Sequence, residues 1–336
     1  MNDPSNITLR LAQDEDLNHV ARLDRLAFAP LRANADVIRD WYPQGLELPD
    51  RTQFLAVEAT TNQAVGAYVQ IDLELLLQQK RFPTLGLAGV AVAPERRGQR
   101  VARRMIEHAL ETGRSHQYPL AMLYPFQHGF YRKLGWAWVG RSHQYRVSTT
   151  HLPRYSEPQS FATAGLTGIF PYDATQQQAL QTVYQTAAVQ HNGWIQRREW
   201  LWDSLLKPKT GREIYTYVEA GALLGYVVLQ FTQLPDRLAV VVREWVALTS
   251  TAYRSILGFL ASLRDQVSTI VWNTFAEDPF PHLLSEQRRD PSLSAAPFEF
   301  GLTHAFGEIG GGFMWRLVDV QRAFEQRPVQ AIDPFA

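Results

Sequence analysis

The residues best suited to do chemistry lie in one run, Gly89-Val90-Ala91-Val92-Ala93-Pro94-Glu95-Arg96-Arg97-Gly98-Gln99-Arg100-Val101-Ala102-Arg103. An apolar strand ends at a proline, a basic turn with one glycine follows, and a helical pattern begins at once. Backbone N–H groups at a helix start have no partner inside the helix, so they can grip an anion. Gly98 removes a side chain from that approach, and Arg96, Arg97, Arg100 and Arg103 bring guanidinium groups of the kind that pair with phosphate. The chemistry suggested is diphosphate binding. The competing reading is an ordinary strand–turn–helix with a solvated basic face. A dinucleotide fingerprint needs three spaced glycines, and a Walker A loop needs a glycine, lysine and hydroxyl sequence; the run has neither.

A second run, Leu123-Tyr124-Pro125-Phe126-Gln127-His128-Gly129-Phe130-Tyr131-Arg132-Lys133-Leu134-Gly135-Trp136, is dense in aromatic residues. Together the two runs resemble the GCN5-related N-acetyltransferases (GNAT), whose diphosphate loop reads Gln or Arg, two residues, Gly, one residue, then Gly or Ala. Placed on residues 95–100, that pattern meets an acid first and an arginine last. The single-glycine, arginine-rich loop and the Phe-Tyr-Arg-Lys-x-Gly-aromatic signature are similar to the Eis (enhanced intracellular survival) branch, and the resemblance extends through residues 312–320.

The resemblance implies acetyl-CoA as co-substrate and no metal. Val90, Ala91 and Val92 would contact the acetyl-pantetheine arm. Arg97, Gly98, Gln99, Arg100, Val101, Ala102 and Arg103 would hold the diphosphate, and Phe126 and Gln127 would line the far side of the arm. Tyr131 would be the general acid: a phenol stays protonated at neutral pH and can donate to a departing thiolate. The alternative for Tyr131 is a structural tyrosine packed beside Phe130 and Trp136. Relatives take their base from a C-terminal carboxylate, which leaves the base here unassigned. Asp24, Glu47, Asp72 and Glu74 lie on segments that border the acceptor cleft in such folds; each taken separately reads first as a solvated surface carboxylate, and together they would favour a cationic amine if several face inward. Trp41 and Tyr42 are candidates to line the pocket.

The elements that position these residues follow from periodicity. Strands are expected at 7–11, 54–58, 64–72, 85–92, 120–123 and 137–147, with helices after Asp14, at 35–42, from Gly98 to about residue 111 with Gly113 as stop, and at 126–133. The second half repeats this order with helices at 175–190, 197–206 and 252–263 and strands at 214–219, 223–231, 238–248 and 268–272. Its counterpart of the basic turn reads Leu-Thr-Ser-Thr-Ala-Tyr-Arg and has no glycine, so its coenzyme site is expected to be lost. The fold class is α/β (α+β): two tandem GNAT folds with mixed sheets flanked by helices, the second degenerate. The composition shift at 148–159 places a catalytic domain at 1–150 and a second at 160–320; by the resemblance, 321–336 begins a sterol-carrier-like domain.

The 336 residues carry 33 Lys plus Arg against 33 Asp plus Glu, so no basic excess points to nucleic acid. With no cysteine, disulfides, thiolate metal sites and cysteine nucleophiles are excluded. The histidines show no ligand spacing, and there is no Gly-x-Ser-x-Gly elbow. No signal-like start or long apolar stretch is present, and the expectation is a cytoplasmic homo-oligomer with no membrane partner. The leading function is N-acetyl transfer to a primary amine, on a polycation such as an aminoglycoside or on a lysine side chain. The alternative is a non-catalytic acyl-CoA-binding or scaffold protein.

Overall fold

A computed structural model describes residues 6–28, 45–46, 48–153, 166–233, 238–287 and 306–327. The expected helix at 35–42, with Trp41, Tyr42 and Glu47, lies outside the described residues. The chain forms two compact units, Met1–Val139 with Phe313–Ala336, and Gly140–Gly312.

In the first unit, β1 (Ile7–Leu11), β2 (Arg51–Glu58), β3 (Ala64–Leu77) and β4 (Lys80–Val92) form an antiparallel meander. The helix α1 (Leu17–Phe28) follows a single 3-10 turn in which the Asp16 carboxylate accepts the Gln13 N–H at 3.0 Å. Gln13, rather than Asp14, is therefore the cap, and Asp14 instead accepts the Leu46 N–H at 2.8 Å. The strands β3 and β4 run well past residues 72 and 85, because Gln78 and Gln79 turn the hairpin with φ of 47° and 67°. That turn usually draws Asn-Gly, so two glutamines gave no warning of it.

The helix α2 (Val101–Ser115) crosses over to β5 (Leu120–Leu123), which pairs parallel to β4. It passes straight through Gly113, where an added Cβ would lie 2.8 Å from Leu85 Cδ2. Gly113 is a close-packing position and not a stop. The short helix α3 (His128–Arg132) and strand β6 (Ala137–Trp138) follow.

The expected strand at 137–147 is split at Gly140, whose φ is 71°. Only β6 stays in the first unit; β7 (Arg141–Ser148) enters the sheet of the second. The chain thus leaves the first unit at Val139, ahead of the compositional shift, and returns at Phe313, so the observed units depart from 1–150 and 160–320. In the second unit lie β8 (Gly168–Pro171), α4 (Gln177–Ala188), β9 (Trp194–Ile195), α5 (Glu199–Leu206), β10 (Arg212–Glu219), β11 (Ala222–Gln233), β12 (Leu238–Ala247), α6 (Ser250–Ser262), β13 (Val267–Thr274), α7 (Phe280–Leu283) and β14 (Glu308–Gly311). The last elements, β15 (Met314–Leu317) and α8 (Val320–Gln326), belong to the first unit.

The strand orders are β1-β2-β3-β4-β5-β15-β6 and β8-β10-β11-β12-β13-β7-β14. They match place for place. Each copy borrows the strand beside its parallel pair from a distant stretch of chain: β15 beside β5, and β7 beside β13. The physical reason is that the edge of β5, all four residues buried, needs an antiparallel partner, and Met314, wholly buried, seals it. In the first unit, Phe54, Tyr68, Leu85 and Leu87 pack with Met105 and Ile106 of α2, while Leu55, Val57, Ala67 and Ala91 pack with Val20 and Leu23 of α1.

Candidate active site

The site starts from a defect in β4. Ala67 pairs with Ala91 and Val69 with Ala88, so Tyr68 alone faces both Gly89 and Val90. One extra residue makes this a bulge, and Gly89 takes the left-handed conformation it requires, φ 59°. Beyond the bulge β4 parts from β5, whose pairing ends at Leu87 with Leu123. The Ala93 N–H still bonds to Val65 O at 2.9 Å on the β3 side. By strand alternation the N–H and C=O of Val92 face the other side, where β5 has ended. A slot with free backbone groups opens there. Val90 and Val92 flank it from the α2 face; the Ala91 side chain points into the α1 cluster instead.

At the end of the slot a single 3-10 turn, Pro94–Arg96, leads to the start of α2. Gly98 has φ 79° and nothing within 4 Å of where a Cβ would stand, so the approach to its backbone is open. The first helical donor to find a partner is the Arg104 N–H, to Arg100 O at 3.1 Å. The amides of Val101, Ala102 and Arg103 are left for a ligand. The side chain of Val101 is buried, so its contribution can only be its amide.

Arg100 is the residue immediately before the helix and is itself left-handed, φ 62°. A loop built around a left-handed glycine therefore registers as Arg97-x-x-Arg100-x-Ala102. The basic first position and small last position are then present, and the glycine is replaced by Arg100. The register starting at Glu95 instead sets the left-handed Gly98 at the glycine position, with an acid first and an arginine last. The arginines also divide. Arg97 and Arg100 have no ion pair among the described residues, and Arg103 is exposed and bonded to Glu107 at 2.8 Å. Arg96 is spent on Glu58, at the end of β2, with both side chains largely buried. Nothing in the sequence marked Glu58, because the pair forms only when the β2–β3 turn is folded beside the loop. The Gln99 side chain donates to Glu95 O at 3.3 Å.

Tyr131, on α3, is 2% exposed and packs against Phe126, Phe130 and Trp136 with ring centroids 5.5, 5.0 and 6.2 Å away. It shares a cluster with Leu87, Leu123 and the flanking Val90. Burial pushes its phenol above the ordinary tyrosine value, so the proton is held more firmly. Among the described residues its hydroxyl makes no hydrogen bond. Phe126 is 66% exposed, and Gln127 is also exposed, where the chain leaves β5. The slot, the loop and this aromatic group are thus brought to one end of the parallel pair.

The carboxylates are less concentrated. Asp24 is buried on α1, Asp72 accepts from the Tyr118 hydroxyl at 2.8 Å, and Glu74 lies 3.7 Å from Arg81. His108 shares a 2.6 Å hydrogen bond with the buried Tyr68 hydroxyl, and burial lowers its proton affinity. Among the described residues no three His, Asp or Glu groups come together as a metal site, and no helix is long and apolar enough to cross a membrane.

The second unit keeps the frame but caps groups that the first leaves open. A bulge at Arg243 sets Val228 opposite Glu244, and the parallel pairing of β12 and β13 ends at Val242 with Trp272. There the Asn273 side-chain amide donates to Val242 O at 3.0 Å, and Trp245 stacks on Trp272 at 5.2 Å. The Thr249 hydroxyl caps the start of α6 by accepting the Ala252 N–H at 3.1 Å. The Val242 carbonyl and the helix start are thus capped by the protein's own side chains, and a cavity of about 200 Å³ remains beside them, lined by Glu244, Trp245 and Asn273 among others.

Comparison with known proteins agrees with this picture. Residues 8–139 and again 193–317 match models of the acetyltransferase (GNAT) domain. The N-acetyltransferase Eis of Mycobacterium tuberculosis is 26% identical over 233 residues, 68% of this chain and 57% of the relative. The chain thus matches little more than half the length of that protein. A probable N-acyltransferase from Enterococcus faecalis superposes with a TM-score of 0.79 at 21% identity, covering 97% of this chain and 76% of the other. Eis1 from Mycobacterium abscessus gives a TM-score of 0.69 at 20% identity, covering 96% and 76%. GNAT acetyltransferases use acetyl-CoA, and the open slot and unpaired helix-start amides of the first unit are the features such a coenzyme needs. Two tandem copies of the domain make this chain a member of the GNAT acetyltransferase family, of the Eis-like kind.

Proposed function

We propose that the first unit transfers an acetyl group from acetyl-CoA to a primary amine, on a polycationic small molecule such as an aminoglycoside or on a lysine side chain. The observation that carries this reading is the bulged, splayed end of β4 opening onto the unpaired amides around Gly98. In this reading the amides of residues 98–103, with Arg97 and Arg100, hold the diphosphate, and the Val92 backbone with Val90, Phe126 and Gln127 lines the arm. The amine nitrogen forms a bond to the acetyl carbon as the carbon–sulfur bond breaks. Tyr131 gives its hydroxyl proton to the sulfur, and the nitrogen loses one proton to solvent or to a carboxylate at the cleft. Burial keeps the phenol protonated at neutral pH, as a proton donor requires, and at the same time makes it a weaker acid, which is a cost to this role. Self-association and a cytoplasmic location belong to the same proposal.

One observation favours the acyl-CoA-binding alternative: Tyr131 is almost wholly buried among aromatic rings. Tyr131→Phe separates the two. Because the hydroxyl has no partner among the described residues, the variant should fold and bind acetyl-CoA as the wild type does. Release of free CoA across a panel of amines should fall about 10²- to 10⁴-fold in kcat. Equal turnover by both proteins removes the proton-donor role, and binding without turnover by the wild type establishes the alternative.

A further inference from the structure

The arginine-rich loop divides into cations that face out and one that does not, and the difference assigns a role. The loop of residues 94–100 has little internal support. Its own backbone bonds are Arg96 N to Ala93 O at 2.9 Å, Arg97 N to Pro94 O at 3.3 Å and Gln99 N to Arg96 O at 3.4 Å, the last two long. Arg100 adds a left-handed conformation that an L side chain disfavours by about 1–2 kcal/mol. A loop so built needs bracing from outside if its amides are to converge on one anion before it arrives.

Glu58 is placed to supply the brace. One carboxylate oxygen takes the Arg96 guanidinium, and the other accepts the Thr61 hydroxyl at 2.8 Å. Its backbone is fixed as well: the Glu58 N–H bonds to Gln63 O at 3.0 Å, and its carbonyl accepts the Asn62 N–H at 2.8 Å. The Arg96 and Glu58 side chains are only 18% and 13% exposed, against 53% for Arg103. A pair this sheltered is screened far less than a surface bridge. On the other side of the turn Arg22 lies 3.6 Å from Glu95, a looser and half-exposed contact.

We infer that Glu58 is a positioning residue for the coenzyme, acting through Arg96, and that Arg96 is an internal strut and not a phosphate ligand. The inference rests on the proposed coenzyme site. It explains why the acid Glu95 and the basic Arg96 stand just ahead of the Arg97-x-x-Arg100-x-Ala102 register: both serve to hold the loop.

The test is calorimetric binding of CoA and steady-state kinetics with acetyl-CoA for wild type, Glu58→Gln, Arg96→Gln and the double variant, with melting curves for each. Loss of one charge-assisted bond that orders the loop should weaken CoA binding and raise KM for acetyl-CoA about tenfold in either single variant, with kcat unchanged. The double variant should be no worse than either single, since both remove the same strut. If Arg96 instead grips the diphosphate, Glu58→Gln will bind CoA as tightly as wild type or tighter, while Arg96→Gln binds more weakly with a shallower salt dependence; that pattern overturns the inference and leaves the coenzyme site standing. Wild type that takes up no CoA overturns both. Should Glu58→Gln fail to fold, Arg96→Lys decides: a strut kept by any cation restores most of the affinity lost in Arg96→Gln, and no recovery refutes it.

Discussion

Replacing Gly98 by valine isolates the central physical claim, because its two consequences can be separated. At φ 79° the new side chain is in the left-handed region, and an added Cβ meets nothing within 4 Å. The cost to the fold is therefore conformational only, about 1–2 kcal/mol. For a unit of this size that lowers Tm by about 2–8 °C. Gly140 is a matched control outside the loop: φ 71°, again with nothing within 4 Å. Gly140→Val should cost the fold the same. The coenzyme sees the two differently. At residue 98 the isopropyl group occupies the space through which a diphosphate must approach the amides, and losing one charge-assisted backbone bond is worth about 1.5–3 kcal/mol, or roughly 10- to 150-fold in Kd. Calorimetric titration with acetyl-CoA, beside melting curves for the three proteins, gives both quantities. Equal affinity in Gly98→Val and wild type, with both variants melting lower as expected, would refute the claim that these amides hold the diphosphate.

Two further outcomes test the architecture. A chain ending at Gly312 loses β15, and with it all four pairs to β5 and the wholly buried Met314. A single buried methionine truncated to alanine costs about 2–5 kcal/mol, so losing the whole strand should abolish the near-UV circular dichroism of the first unit; a chain ending at Gly312 that keeps it and still binds acetyl-CoA would show β15 to be dispensable. The second outcome concerns pH. Burial holds the proton affinity of folded His108 below its ordinary value near 6.5, so between that pH and the lower folded value the unfolded chain binds more protons. Stability should fall as pH drops below about 6.5, and His108→Gln should lessen the fall in Tm between pH 8 and 5.5; equal slopes would mean that His108 does not contribute.

Much of the frame of the candidate site was legible because its signals are local. The apolar run ending at Pro94, the single glycine at 98 and the helical pattern after it needed only neighbouring residues, and the open helix start follows directly. The register did not follow, since only backbone angles show that Arg100, directly before the helix, is left-handed as Gly98 is. The pairing of Arg96 was out of view for a similar reason: charge counts as available in a sequence, and its partner lies 38 positions away. The residues of β3 and β4 beyond Asp72 and before Leu85 were missed because a hairpin turned by two glutamines carries no turn signal.

The sequence by itself determined the two repeated α/β halves, the loss of the glycine turn from the second, and the chemistry available to the first, because strand alternation, helical spacing and loop glycines are properties of adjacent residues. Only the tertiary structure decided which strand completes each sheet, which arginine of the loop is paired within the protein, and which groups of the second slot are capped. Those outcomes depend on contacts such as Met314 with Leu123, Glu58 with Arg96 and Asn273 with Val242. Such pairs join residues far apart in the chain, and their energies exist only once the backbone has brought them together.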